Sequence, residues 1–191
     1  MHLIKRPSLG LALVLGLVLT LAAAGCGDSR TAPPYVAATA APNGFSRASF
    51  PADGVSFRAP TNWALTSGHP PQIATVHDGL ATLAIWRYPR TQPLPVSQAQ
   101  LRAVLPALLG AVRARDPTFS VIMARPTVFA RSPAIELTGL ETIAGALRHV
   151  RSIHVFHAGA ELVLDAFAPP SDFARVDRLA FQPLLHSVHL R

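Results

Sequence analysis

The chain has 191 residues, half of them hydrophobic, and carries 17 basic against 10 acidic side chains, a formal net charge of +7. Its eighteen prolines and twelve glycines disfavour a long helical bundle and favour short strands joined by turns. The arginines are scattered, without the clustered run that a nucleic-acid-binding face needs, so we expect no nucleic-acid partner and at most a mild attraction to anionic lipid headgroups.

The first 25 residues have the three parts of a secretory signal peptide. Lys5 and Arg6 form a basic start, residues 9–24 are almost purely apolar, and small residues lead up to Gly25 and Cys26. The apolar run is short for a helix that crosses about 30 Å of hydrocarbon. We therefore predict a signal peptide over residues 1–25 that is cleaved after Gly25. An uncleaved membrane anchor is the alternative.

Cys26 is the only cysteine of the chain, and it follows Ala23-Ala24-Gly25. This stretch resembles the bacterial lipobox, in which a lipid is added to the cysteine thiol before cleavage, although Ala23 stands where leucine is usual. A lone thiol in an exported protein needs an explanation, and acylation supplies one. Two acyl chains hold a protein durably on a bilayer. The resemblance predicts a protein tethered to the extracytoplasmic face of the membrane through acyl chains on Cys26. An unmodified thiol is the alternative.

Residues 26–45 are rich in alanine, proline and other small residues and lack apolar periodicity. Such a segment cannot bury enough surface to order itself. We predict a flexible linker over residues 26–45, including the lipidated cysteine, and one folded domain over residues 46–191. That domain contains no cysteine, so its stability must come from packing.

Three glycine-containing turns predict β-hairpins, because each lies between two strand-like segments. They are Asp53-Gly54, Asp78-Gly79 and His157-Ala158-Gly159. In the strand over residues 80–88 both faces are apolar, so we predict a central strand covered on both sides. Two further strands, over residues 118–124 and 134–139, are predicted on either side of Pro126 and Pro133.

Ser97 predicts the N-cap of a helix over residues 98–115, which Asp116-Pro117 ends. Pro106 lies inside this helix and is expected to kink it. Six apolar residues form one stripe at helical spacing: Leu101, Val104, Leu105, Leu108, Leu109 and Val112.

Ser171 and Asp172 predict the N-cap of a last helix that turns Phe173, Val176 and residues 179–180 inward. The order of strands, helix, strands and helix predicts an α+β fold, in which helices pack against an antiparallel β-sheet.

Two stretches match short motifs of a known fold. Residues 55–63 read Val-Ser-Phe-Arg-Ala-Pro-Thr-Asn-Trp, a strand followed by proline, any two residues and tryptophan. Residues 172–188 have the pattern of a helix that ends in a serine and a last short strand. These stretches resemble the early signature and the terminal helix of the PsbP/Mog1-like fold, which is seen in many small exported lipoproteins. The resemblance covers residues 45–190 and implies a sandwich of sheet and helices. It also implies a binding or assembly module without catalytic residues, and it leaves the ligand open.

Eight histidines raise the question of a metal site. His154 is three residues from His157 and five from His149, and on a strand both spacings put the two rings on opposite faces. His186 and His189 share a face only if the last turn stays helical. Because a zinc site needs three or four convergent ligands, we predict neither a metal site nor a cofactor.

No serine elbow, dinucleotide fingerprint or phosphate-binding loop is present in the sequence. We interpret Glu136 and Glu141 as surface charges at a strand end rather than an acid/base pair. Trp63 and Trp86 either line a ligand groove or belong to the core. The sequence therefore favours a non-catalytic binding or assembly module of the cell envelope. The alternative is a carrier or sensor of a lipid or apolar small molecule held between sheet and helix, and an enzyme ranks third.

Overall fold

The structure is a computed structural model that describes residues 38–191. The described chain forms two antiparallel sheets. The smaller sheet has β2 (Val55–Pro60) between β1 (Phe45–Phe50) and β10 (His189–Leu190). The larger sheet has seven strands, which from one edge to the other are β3 (Ala64–Ser67), β4 (Gln72–Asp78), β5 (Ala81–Pro89), β9 (Ala160–Ala168), β8 (Ala146–His157), β7 (Ser132–Ile143) and β6 (Ser120–Phe129). Together with the helices described below, this confirms the predicted α+β fold.

The three predicted hairpins are present. Gly54, Gly79 and Gly159 have φ angles of 69°, 54° and 69°, a left-handed conformation that glycine adopts without the steric cost of a Cβ atom. They join β1 to β2, β4 to β5 and β8 to β9 as antiparallel pairs. A short 3-10 turn over Pro51–Asp53 completes the first of these connections.

The prediction that Pro126 and Pro133 separate two strands was wrong. Both prolines lie inside strands, Pro126 in β6 and Pro133 in β7. A proline is tolerated in β6 because an edge strand leaves half of its backbone N–H groups without a neighbour. The turn between these strands is Ala130-Arg131, whose φ angles of 47° and 64° are unusual for these residue types and give no signal in the sequence.

Helix α1 spans Gln98–Arg115, the bounds that the sequence predicts. Ser97 Oγ accepts a hydrogen bond from the Gln100 N–H, and the Gln100 side chain accepts one from the Ser97 N–H, which completes a capping box. The helix continues through Pro106. Of the predicted stripe, only Leu101 and Val112 are fully buried, so α1 contacts the sheet along a narrower face than the sequence suggests.

The C-terminal segment consists of α2 (Pro170–Val176), a π-helical turn (Asp177–Phe181) and α3 (Gln182–His186). The predicted cap at Ser171 and Asp172 was wrong, because α2 begins at Pro170, whose fixed φ suits a first helical position. Phe173, Val176 and Ala180 are buried as predicted, but Leu179 is exposed. The π-helical turn changes which residues face inward at this point.

The main core lies between the two sheets. The inner face of the smaller sheet and the C-terminal helices cover one face of the seven-stranded sheet, and Phe57, Leu164 and Phe181 lie among the buried side chains there. Trp63 belongs to this core, with its ring edge-on to Phe181 at a centroid distance of 6.1 Å. Each such side chain contributes about 1.5–3 kcal/mol when fully buried, so this interface supplies most of the packing energy.

The predicted linker ends earlier than residue 45. Thr39 is buried, and its hydroxyl donates to the Asp78 carbonyl at 3.2 Å. The indole N–H of Trp63 donates to the Ala40 carbonyl at 3.1 Å, and Arg175 donates to the Thr39 carbonyl at 3.0 Å. The domain therefore includes residues 39–45. The linker prediction for residues 26–37 lies outside the described residues.

Candidate functional site

The second face of the seven-stranded sheet is covered only in part. Helix α1 packs over β6 and β7, and its Leu101 and Val112 are buried there against Ile135 and Leu137 of β7. Over β4, β5 and β9 the same face remains open, with the C-terminal end of α1 along one side. We call this open region the groove. Its lining combines aromatic, apolar, hydroxyl, amide and charged side chains: Gln72, Thr75, Thr82, Ala84, Trp86, Tyr88, Arg115, Glu141, Ile143, Val150, Asp165 and Phe167.

The groove has a volume of about 410 Å³. A second cavity of about 230 Å³ continues from it along α1 and shares the side chains of Tyr88 and Arg115. This extension passes Leu108 and reaches Arg90 and Glu161. The two cavities therefore lie next to each other beside the helix.

Strand register explains why the groove is deep at Asp165. Ala84 of β5 lies opposite Asp165 of β9, and Asp165 lies opposite Ser152 of β8. Side chains directly across from each other share one face, so Asp165 has a small neighbour on each side. Trp86 and Phe167, each two residues further along its strand, point to the same face. The result is a depression with a carboxyl group on its floor and aromatic rings beside it.

The carboxyl group of Asp165 is incompletely satisfied. Its Oδ1 is shielded from solvent and has no hydrogen-bond partner among the described residues. Burial raises the pKa of Asp165, and the opposing effects of the Ser152 hydrogen bond and of the charges on His154 and Arg115 do not cancel this rise. A protonated carboxyl group can both donate and accept hydrogen bonds. The rest of the half-buried side chain lines the groove, so a ligand there meets a carboxyl group that can do both.

Hydrogen bonds continue from Ser152 along the sheet to the surface. Ser152 Oγ lies 3.2 Å from His154 Nε2, His154 Nδ1 lies 2.6 Å from Glu161 Oε1, and Arg90 bonds to Glu161 Oε2. Burial acts to raise the pKa of Glu161, but the hydrogen bonds from His154 and Arg90 outweigh it and lower the pKa. The ionised carboxylate accepts from the Nδ1–H of His154, which leaves Nε2 facing Ser152. We call these four residues, Arg90, Glu161, His154 and Ser152, the buried network.

Ser152, His154 and Glu161 have the order of nucleophile, base and orienting acid that serine hydrolases use. Their surroundings do not fit that chemistry. Ser152 is buried on β8 between β7 and β9, so the backbone N–H groups around it belong to the sheet ladder and cannot form an oxyanion hole. The geometry fits a structural hydrogen-bond chain better than a nucleophile.

A pair of carboxyl groups lies at the C-terminal end of α1. Asp116 accepts hydrogen bonds from Glu141 and from the N–H and hydroxyl groups of Thr118, at 2.8 and 2.7 Å for the latter two. These bonds lower the pKa of Asp116 to about 2. Burial, followed by the hydrogen bond and charge of Asp116, raises the pKa of Glu141 to about 7. One end of the groove therefore changes its charge near neutral pH.

The glutamates interpreted as strand-end charges have different environments. Glu136 and Glu141 lie on opposite faces of β7, since they are five residues apart. Glu136 forms ion pairs with Arg125 and Arg151, whereas Glu141 lines the groove. The two tryptophans also have different environments, because Trp86 lines the groove and Trp63 belongs to the core.

The histidines do not converge. His149 and His154 lie on opposite faces of β8, and the His149 ring stacks on Phe173 at a centroid distance of 4.0 Å. Burial, followed by the charge of Arg151, lowers the pKa of His149. His157 Nδ1 forms a hydrogen bond with Ser132 Oγ at 2.9 Å. Within residues 38–191, no three His, Cys, Asp or Glu side chains are grouped to hold a metal ion.

Sequence reasoning missed the buried network, although the sequence contains a signal for it. Glu161 and Asp165 are four residues apart in an otherwise apolar strand, and Ser152 and His154 are two apart on its neighbour. Polar residues at even spacing on a central strand lie on one face, where burial forces them to bond to each other.

The predicted lipidation site, Cys26, and its cleavage flank, Gly25, lie outside the described residues. Among the helices of residues 38–191, none has the length and apolar character needed to span a membrane.

No family model matches the chain, and no curated protein is significantly similar to it. Solved structures that are similar to this chain include CyanoP, Mog1p and LpqN. CyanoP, the cyanobacterial PsbP of Synechocystis sp. PCC 6803, has a TM-score of 0.59 at 16% identity, covering 77% of this chain and 92% of that protein. The Ran-binding protein Mog1p of Saccharomyces cerevisiae has a TM-score of 0.51 at 8% identity, covering 77% of this chain and 95% of Mog1p.

The third is LpqN, involved in cell envelope biogenesis of Mycobacterium tuberculosis, with a TM-score of 0.49 at 14% identity, covering 76% of this chain and 84% of LpqN. The similarities to CyanoP and Mog1p confirm the predicted PsbP/Mog1-like fold. At these identities, they establish the fold alone.

Proposed function

We propose that this protein is a lipoprotein tethered to the extracytoplasmic face of the cell membrane, and that its domain is a non-catalytic binding module. The ligand or partner occupies the groove. One observation carries the proposal: the open groove brings the half-buried carboxyl group of Asp165 together with the aromatic rings of Trp86, Tyr88 and Phe167. A concave site that is mostly apolar and has a few convergent polar groups is typical of ligand binding.

Two further points support binding rather than catalysis. The backbone amides beside Ser152 are engaged in the sheet, which removes the usual means of stabilising an oxyanion. Mog1p, which shares the fold, is a Ran-binding protein, so a domain of this shape can serve as a binding module. The tether is supported by the sequence alone, through the signal-like residues 1–25 and the lone Cys26.

Native mass spectrometry of the full-length protein, gently extracted from membranes of its own host, tests both parts. We expect a mass that begins at Cys26 and includes acyl chains, together with a retained adduct. An uncleaved or unacylated chain would contradict the tether.

A matched pair of substitutions locates the adduct. Thr75→Trp places a large side chain in the groove and should remove the adduct, because Thr75 lines it. Thr142→Trp, at an exposed position on the opposite face of β7, should retain it. An adduct that both variants keep would place binding outside the groove.

A second candidate is a carrier of a lipid or apolar small molecule. The side chains of Trp86, Tyr88 and Phe167, with the apolar Ile143 and Val150, favour it, because such linings are typical of small-molecule sites. A lipid-sized adduct indicates the carrier, and a protein-sized adduct indicates the assembly module. The carboxyl groups of Asp165 and Glu141 favour a ligand that also carries hydroxyl or amide groups over a purely apolar one.

A further inference from the structure

The outer face of the smaller sheet carries a cluster of basic and hydroxyl side chains. Ser56 and Arg58 are two residues apart on β2 and so share a face. Arg47 of β1 lies directly opposite Arg58, and His189 of β10 lies directly opposite Ser56. These side chains line a depression of about 520 Å³. We call it the basic pocket. Its polar lining residues are Arg47, Ser56, Arg58, Ser187, His189 and Arg191.

The side chains of Arg47 and Arg58 are in an unfavourable arrangement. Like charges directly opposite on neighbouring antiparallel strands repel each other and destabilise the pair. Arg58 Nη2 donates to the Phe45 carbonyl at 3.1 Å, which holds its guanidinium group on this face. No acidic side chain is among the residues that line the pocket.

Four other arginines of the domain have carboxylate partners. Arg90 pairs with Glu161, Arg125 and Arg151 with Glu136, and Arg175 with Asp172. The lining of the basic pocket offers Arg47 and Arg58 no such side chain, so an anion from outside the domain can take that place.

We propose that the basic pocket binds a phosphate group between Arg47 and Arg58. The planar guanidinium fork matches phosphate geometry and forms two parallel charge-assisted hydrogen bonds. Ser56 also lines the pocket, although it is almost fully buried. Ser187 has a structural role instead. Its hydroxyl accepts a hydrogen bond from the backbone N–H of Arg58 at 2.7 Å and donates one to the Leu184 carbonyl at 2.6 Å.

The phosphate can come from an anionic phospholipid headgroup or from a soluble phosphate. The pocket is compact and lies on one short sheet, which suits a single headgroup rather than a nucleic-acid backbone. It does not depend on the groove, because the groove lies on the α1 side of the seven-stranded sheet and the smaller sheet covers the other side.

Isothermal titration calorimetry on the full-length protein in neutral detergent micelles tests the proposal. The probes are inorganic phosphate and dihexanoyl phosphatidylglycerol, with zwitterionic dihexanoyl phosphatidylcholine as the comparison. We expect saturable binding of at least one anionic probe and weaker binding of the zwitterionic one. Affinity should fall as salt is added, because the arginines are exposed.

The double substitution Arg47→Gln/Arg58→Gln should lower the affinity about tenfold or more, because it removes charge-assisted contacts to the phosphate. The matched control is Arg102→Gln/Arg113→Gln, which removes the same charge from exposed positions on α1. It should leave affinity within about twofold, since α1 and the smaller sheet lie on opposite faces of the seven-stranded sheet and salt screens exposed charges that are far apart. An equal loss of affinity in both double variants would show that only the net charge matters, and would overturn the proposed site.

The free protein supplies a second readout. The Arg47→Gln/Arg58→Gln variant should melt about 1–3 °C higher than the wild type, because like-charge repulsion is relieved. A lower melting temperature contradicts the argument from repulsion. Binding of phosphatidylglycerol without phosphate identifies a lipid headgroup, and binding of both identifies the phosphate itself. The absence of binding to either probe at millimolar concentration overturns the proposal.

Discussion

The groove and the basic pocket hold their charged groups in opposite ways. In the groove and its extension, burial governs the acids: it raises the pKa of the half-buried Asp165, while His154 and Arg90 keep the buried Glu161 ionised. In the basic pocket Arg47 and Arg58 are exposed and lie directly opposite each other. Burial shifts the pKa of an acidic group, whereas the repulsion between exposed charges is screened by salt. The groove should therefore respond to pH, whereas the basic pocket should respond to salt.

The largest expected effect concerns the buried network. Glu161→Leu should destabilise the protein by about 3–5 kcal/mol, because it leaves the buried His154 without its partner. The double variant Glu161→Leu/His154→Leu should recover part of this loss, and urea unfolding measures both. The control Arg125→Ala removes an exposed ion pair and should cost about 0–1 kcal/mol.

The same network predicts acid sensitivity. The pKa of Glu161 is lower in the folded protein than its ordinary 4.5, so its stabilising contribution is present above that pH and is lost as the pH falls below it. The wild type should lose stability in that range, and Glu161→Leu should lose less. Equal acid sensitivity would show that another group is responsible.

Asp165 should act in the opposite direction. Its pKa is raised in the folded state above the ordinary 3.8, so ionisation of Asp165 lowers the free energy of unfolding. This loss of stability is absent below pH 3.8 and grows as the pH rises above that value. Asp165→Asn should stabilise the protein by about 1–2 kcal/mol at neutral pH, since it removes a buried charge, and by less in acid. Thermal unfolding of both proteins at neutral and at acid pH checks this. Asp172→Asn on the surface of α2 is the control and should stay within about 0.5 kcal/mol.

Glu141 should give a smaller effect at a higher pH. Its folded pKa of about 7 exceeds the ordinary 4.5, so it weakens stability progressively as the pH rises between those values. Glu141→Gln should flatten this part of the stability profile by up to about 1 kcal/mol, because solvent screens a partly exposed group. An unchanged slope between pH 4.5 and 7 would rule out this assignment.

The smallest expected effect is that of salt on the basic pocket. Adding salt should stabilise the wild type by a few tenths of a kcal/mol, since it screens the repulsion between Arg47 and Arg58. The Arg47→Gln/Arg58→Gln variant should lack this gain. Differential scanning calorimetry at two ionic strengths measures it, and a gain of equal size in both proteins contradicts the comparison.

Features with a local cause could be predicted from the sequence. The three glycine turns and helix α1 followed from residues within a few positions of each other, such as Ser97 and Gln100 of the capping box. The strands around Pro126 and Pro133 could not be bounded in this way, because the cost of a proline depends on whether its strand lies at a sheet edge. That position is set by distant partners.

The candidate site shows the same limit. Trp86 and Tyr88 lie on one face of β5 and the core residue Leu83 on the other, as the alternation in the sequence predicts. Because both faces are apolar, that pattern alone predicts a strand covered on both sides. Coverage depends on where α1 comes to lie, and α1 packs over β6 and β7. The expected core face is therefore the wall of the groove. The basic pocket was equally hidden, since Arg47 and Arg58 meet only through strand register.

The bonds that hold Thr39 and Ala40 to the domain fix the point from which the chain departs toward its amino terminus. Twelve residue steps separate Cys26 from Ala38, and even a fully extended chain of that length spans roughly 40 Å. If Cys26 is acylated, the point where the chain enters the domain lies no further than this from the bilayer. That distance then limits which partners above the membrane the domain can reach.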